Sequence, residues 1–150
     1  MIKAAILSVS LAASSLSLNA RAQDARAYTD GPVTDVGYLQ VEYGSFETYI
    51  DWLNSTWKPT MEAMKKAGLI IDYKVFMVGV LAPPVSKPDQ PNMILWITFK
   101  NMAALDKGVE LEAVAKKVIG STEIQNKARV DRNEYRKNLG DELIREVILK

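Results

Sequence analysis

Residues 36–68 read VGYLQVEYGSFETYIDWLNSTWKPTMEAMKKAG, and this stretch decides the fold. From Val36 to Tyr43 the chain alternates, with Leu39, Val41 and Tyr43 on one side and Tyr38, Gln40 and Glu42 on the other. A period of two, rich in β-branched and aromatic residues, predicts a strand with one face turned to a core. Gly44 and Ser45 end it, and Ser45 is a suitable N-cap for a helix. Phe46, Ile50, Leu53, Trp57, Met61 and Met64 then recur at steps of three and four, the apolar stripe of a long helix. Pro59 has no N–H to give the Ser55 carbonyl, so the helix is expected to kink or restart there. Gly68, just after Lys65 and Lys66, is the expected stop.

Working outward, Leu69 to Val80 predicts a second strand, and Ala82 to Asn92, with four of the six prolines, an irregular loop. Met93 to Lys100 predicts a third strand with Met93, Leu95, Ile97 and Phe99 on one face. Asn101 can cap a helical segment whose stripe is Leu111, Val114, Ala115, Val118 and Ile119, broken at Gly120. Ser121 to Lys137 reads as a further helix with Ile124, Ala128, Tyr135 and Leu139 turned inward, and Glu142 to Leu149 as the closing strand. The order β-α-β-β-α(α)-β implies two right-handed crossovers sharing one antiparallel sheet, the ferredoxin-like α+β arrangement with helices on one face. The covered face should carry Leu39, Val41, Tyr43, Leu95, Ile97 and Phe99. The bare face should carry Tyr38, Gln40, Glu42, Asp72, Lys74, Phe76, Ile94, Trp96 and Thr98. Phe76, Ile94 and Trp96 make that face more apolar than a monomer usually shows, so a homodimer through the open sheet is expected.

The strand 36–43, the long helix with Thr56-Trp57-Lys58-Pro59, the strand 93–99 running into Lys100-Asn101-Met102-Ala103-Ala104-Leu105, and the final strand together resemble the dimeric α+β barrel superfamily. That group includes antibiotic-biosynthesis monooxygenase-like, EthD-like and stress-responsive barrel proteins. The resemblance is architectural and spans residues 36–150. It implies a ligand pocket between sheet and helices, and tryptophan, asparagine and often histidine in the cofactor-free oxygenases and haem-degrading relatives.

At the other end, Lys3, the small and apolar run Ala4 to Leu18, and Ala20-Arg21-Ala22 read as a secretory signal peptide over residues 1–22. The run is too short for a membrane anchor, so an exported bacterial protein, periplasmic or secreted, is expected, with no membrane insertion after cleavage. Residues 23–35, with the turn signal Asp30-Gly31-Pro32, read as a flexible leader before a single domain over 36–150.

Composition excludes a good deal. With no cysteine there is no disulfide framework and no thiol nucleophile. With no histidine, a Ser-His-Asp triad, a histidine-ligated haem and the usual zinc sites are ruled out, which argues against haem degradation. No cofactor and no metal site is expected, and acid–base work would fall to Asp, Glu, Lys or Tyr. Nineteen basic against eighteen acidic residues, a formal charge of +1, gives no electrostatic reason to bind nucleic acid.

The candidate ligand-binding residues are Tyr38, Trp52, Trp57, Tyr73 and Trp96. Trp52 and Trp57, with Tyr49, could wall a flat apolar ligand or simply fill the core. Tyr38, Tyr43 and Tyr73 could donate to a substrate oxygen or hold a hydrogen bond within the protein, and spacing does not separate the two. Lys58 could stand at a pocket rim, although Pro59 in the first turn of a restarted helix is the simpler account. Glu42, Asp72 and Lys74 are more simply cross-strand ion pairs than an acid–base set. Lys116, Lys117, Lys127, Arg129, Arg132, Arg136 and Lys137 are interleaved with acids and read as a solvated face. The function expected is binding of a small apolar or aromatic molecule without catalysis. The alternative is a cofactor-independent monooxygenase or isomerase acting on a phenolic or polyketide-like compound, with catalytic residues unknown.

Overall fold

The computed structural model describes residues 26–79 and 90–150. The signal peptide expected over 1–22, and residues 82–89 of the loop expected over 82–92, lie outside the described residues.

Four strands, five helices and one π-helical turn build the described residues. In chain order they are β1 (Tyr28–Val41), α1 (Phe46–Trp52), the π-helical turn (Leu53–Trp57), α2 (Lys58–Lys66), β2 (Asp72–Met77), β3 (Met93–Phe99), α3 (Met102–Leu105), α4 (Gly108–Ile119), α5 (Thr122–Arg132) and β4 (Arg136–Leu149). The sheet order is β2-β3-β1-β4, as two crossovers sharing one antiparallel sheet require. Of the described residues, those between 30 and 147 form one compact unit, and 26–29 with 148–150 a second. In the second unit the Lys150 amide donates to the Ala27 carbonyl at 3.1 Å, and the Arg26 guanidinium stands 5.8 Å from the Tyr28 ring centroid.

Register sorts the side chains of the larger unit. Val33 pairs with Phe99, Asp35 with Ile97, Gly37 with Leu95 and Leu39 with Met93, all on the helix-covered face. On the other face Thr34 pairs with Thr98, Val36 with Trp96 and Tyr38 with Ile94, while Phe76 of β2 sits opposite Ile94. Leu39, Val41, Met93 and Phe99 are buried against Tyr49, Leu53, Trp57, Met61 and Met64, so the expected stripe is the helical half of the core. Asn92 extends the ladder past β3. Its side-chain amide accepts from the Val41 N–H and donates to the Val41 carbonyl, both at 2.8 Å, as a strand backbone would.

The helix restarts at Lys58 with Pro59 in its first turn, one of the two outcomes expected. Just before it the backbone widens, with the Lys58 N–H donating to the Leu53 carbonyl five residues back. This absorbs the missing donor of Pro59 and keeps Trp57 and Met61 both buried. Gly68, at φ +71°, ends α2 where the Leu69 N–H reaches the Met64 carbonyl at 3.0 Å, closing a left-handed cap.

Five expectations are corrected. The leader expected over 23–35 is strand from Tyr28 onward. Gly31, expected in a turn, lies so close to β4 that an added Cβ would meet the Glu146 Cβ at 2.8 Å, so glycine serves the approach of two strands. Tyr43 lies beyond β1 and is fully exposed rather than on the covered face. The helix expected to Lys137 stops at Arg132, because β4 begins at Arg136 beside β1, and Ile124 is 55% exposed rather than inward.

Candidate functional site

The bare face of the sheet carries an open groove of about 350 Å³ lined by Val36, Tyr38, Phe76, Met77, Val78, Ile94, Trp96 and Ile144. Alternation puts these side chains there, since Val36, Tyr38, Phe76, Ile94 and Trp96 all point away from the helices. Phe76 meets Trp96 edge to face with centroids 5.7 Å apart. Polar atoms at the groove are already engaged. Trp96 Nε1 donates to Thr98 Oγ1 at 3.0 Å, Thr98 Oγ1 shares a hydrogen bond with Thr34 Oγ1 at 3.2 Å, and the Tyr38 hydroxyl donates to Glu142 Oε2 at 3.1 Å. That bond holds the Tyr38 proton on and raises its pKa. Asp72 pairs with Lys65 of α2 at 3.3 Å and with Lys74 of its own strand at 3.6 Å, so these ion pairs do not run between strands as expected.

Of the other three candidate residues, Trp57 and Tyr73 meet edge to face at 5.3 Å on the helix side. The Tyr73 hydroxyl donates to Glu62, which with burial pushes its pKa up to about 12. Trp52 stacks on Tyr49 at 5.6 Å. The five residues therefore fall in three places, with Tyr38 and Trp96 together in the groove.

Sequence reasoning missed a second cluster where α5 hands over to β4. The Arg132 guanidinium lies 3.9 Å over the Trp52 ring, and that of Arg136 lies 5.7 Å from the Tyr49 centroid. Tyr135 meets Tyr49 edge to face at 6.4 Å. Burial lowers the Arg132 pKa, and the like charge of Arg136 lowers it further. Burial pushes the Tyr49 hydroxyl up, opposed by both arginines; Arg136 lies near enough to act on it, yet no hydrogen bond of normal geometry forms. These two arginines do not belong to the solvated face, whereas Lys116–Glu112 and Lys127–Asp131, both at 2.8 Å, do. The sequence held one signal: Arg132 has no acid three or four residues away and has Arg136 four residues on.

A small cleft of about 110 Å³ on the covered face is lined by Asp35, Gly37, Leu39, Leu95, Ile97, Arg136, Asn138 and Asp141. Asp35 is half-buried there, and desolvation, then the charge of Asp141, raises its pKa. Among the described residues no cluster of three or more carboxylates is placed to hold a metal ion, and no helix is long and apolar enough to cross a membrane.

No protein-family model matches the chain, and no curated protein matches it. Solved structures do. HapK from Hahella chejuensis is 9% identical, with 76% of this chain and 91% of that one covered, at a TM-score of 0.48. Protein SO0527 from Shewanella oneidensis is 19% identical over 81% of this chain and 96% of its own, also at 0.48. A dimeric ferredoxin-like protein from an uncultured marine organism is 10% identical over 81% and 90%, at 0.50. At such identities the likeness is one of fold, and the last match agrees with the strand order: this chain has the ferredoxin-like α+β fold.

Proposed function

We propose that this ferredoxin-like chain is an exported homodimer that closes its bare sheet face over a second copy and holds a small apolar or aromatic molecule there, without catalysis. The observation that carries the reading is the apolar groove around Trp96 and Tyr38, whose polar atoms are already engaged within the protein. Such a surface gains roughly 25 cal/mol for each Å² of apolar area taken from water. The similar marine protein is described as dimeric, and a second copy supplies a cover of matching chemistry. Export rests on the charged, apolar and A-x-A succession of residues 1–22.

Light scattering and Nile red fluorescence on the full chain test this together. The wild type should run at the dimer mass and enhance the dye, and Trp96→Glu should run as a monomer and lose the enhancement. A wild-type monomer at micromolar concentration overturns the assembly, and a dimer that never takes up the dye overturns the binding.

A second reading, a cofactor-independent monooxygenase or isomerase, is favoured by Asp35, a carboxyl with raised pKa in an apolar cleft, as a general base would be. Turnover of a phenolic substrate that survives Asp35→Asn would remove it.

A further inference from the structure

The junction of α5 and β4 holds two arginine charges that no carboxylate neutralises among the described residues. Asp35 and Asp141 line the same cleft as Arg136, but neither pairs with it. The Nε atoms of Arg132 and Arg136 are closed off from solvent and have no acceptor. The Tyr49 hydroxyl, on a side chain with no exposed surface, has no partner either. A guanidinium stays charged at any ordinary pH, so burial cannot be relieved by losing a proton. Two half-hidden like charges with orphaned donors are costly as they stand, and an anion close to them offsets their repulsion.

Space is open beside Arg132. A pocket of about 190 Å³ lies next to Arg132, with Trp52, Thr56, Ile119, Gln125 and Ala128 among its walls. Trp52, Ile119 and Ala128 make part of it apolar, while Gln125 is held by the Gly120 carbonyl at 3.0 Å.

We propose that this cluster is a binding site for a small organic carboxylate with an apolar body. The carboxylate accepts from the Arg132 guanidinium at the pocket wall, and the charge of Arg136 behind it adds to the attraction. The apolar body lies in the pocket against Trp52, Ile119 and Ala128. A carboxylate suits the planar guanidinium donors, and its bonds to them are charge-assisted. The site lies on the helix side of the sheet, so it stands or falls separately from the bare-face groove.

Calorimetric titration of the full chain with sodium benzoate at low salt tests it. Saturable binding is expected, weakening as chloride is added. Benzyl alcohol, with the same ring and no charge, should bind at least roughly tenfold more weakly. Arg132→Gln and Arg136→Gln should each weaken benzoate binding by roughly tenfold or more, whereas Lys127→Gln, on the same helix but paired with Asp131, should leave it unchanged. Absence of benzoate binding, as from a merely hydrated pocket, overturns the proposal. So does equal binding of benzyl alcohol, or inorganic phosphate binding as well as benzoate. Should the arginine variants fail to fold, the comparison of the three ligands on the wild type decides.

Discussion

Asp35 shows how one side chain can be held against its own preference. Its register partner is Ile97, and its neighbours in the cleft are Leu39 and Leu95, so ionisation there forgoes water. Its pKa is raised above the usual 3.8, and the protonated form is favoured in the folded state. The stability this group contributes is therefore full below the unfolded pKa and is lost as pH rises through the folded value. Asp35→Asn is expected to raise the melting temperature at neutral pH, with the gap closing below about pH 4 as the wild-type carboxyl becomes protonated. Melts of both proteins across that range check it; a variant less stable at neutral pH would show that the charge is compensated. Asp35 could not be found from the sequence because a carboxylate among small and polar residues looks like leader. Nor could Arg132 and Arg136 be separated from Lys127 or Arg129 by composition. What distinguishes them is which element's end they occupy, and that depends on where α5 gives way to β4.

At the scale of elements, periodicity carries most of the information. The long helical stripe, the strand at Met93 and the division of the sheet into covered and bare faces follow from steps of two or of three and four, because one-sided burial imposes them. Sequence and structure part where pairing overrides local chemistry. Asp30-Gly31-Pro32 carries a turn signature, yet β4 needs the missing Cβ of Gly31, and the strand runs through. Helical spacing persists past Arg132, yet an open place beside β1 converts residues 136–149 into strand. Gly120, between α4 and α5, is the break that its sequence position implies. Its φ of 109° and ψ of −162° are essentially closed to other residues, and an added Cβ would meet Ile124 Cδ1 at 3.0 Å. Gly120→Ala should therefore cost about 1–3 kcal/mol in denaturant unfolding. A loss no larger than that of an exposed surface change would mean the junction relaxes freely.

For the whole molecule, the fold was legible and the gathering of the site was not. Tyr38, Trp52, Trp57, Tyr73 and Trp96 are all real features of the structure. Spacing along a chain does not say which of them meet across a sheet or beneath a helix: Tyr38 and Trp96 share one groove, and Trp57 and Tyr73 meet on the helix side. If two copies close over that groove, folding and association are linked. The melting temperature should then climb with protein concentration for the wild type and stay flat for Trp96→Glu, which calorimetry over a wide dilution series would show. A concentration-independent wild type would mean the apolar face is stable in water alone.

The strand order also governs how this protein comes into being. β1 lies between β3 and β4, so the first strand made is the last to be completed. While a ribosome is still adding the final residues, one side of β1 has no neighbour, and the nascent chain stays open along that line. Pairings so distant in sequence make folding slow, and they leave a bare edge at which another unfinished chain can join. The protein's most vulnerable period is therefore the interval between the synthesis of β3 and the arrival of β4, which is when a chaperone would have most to protect.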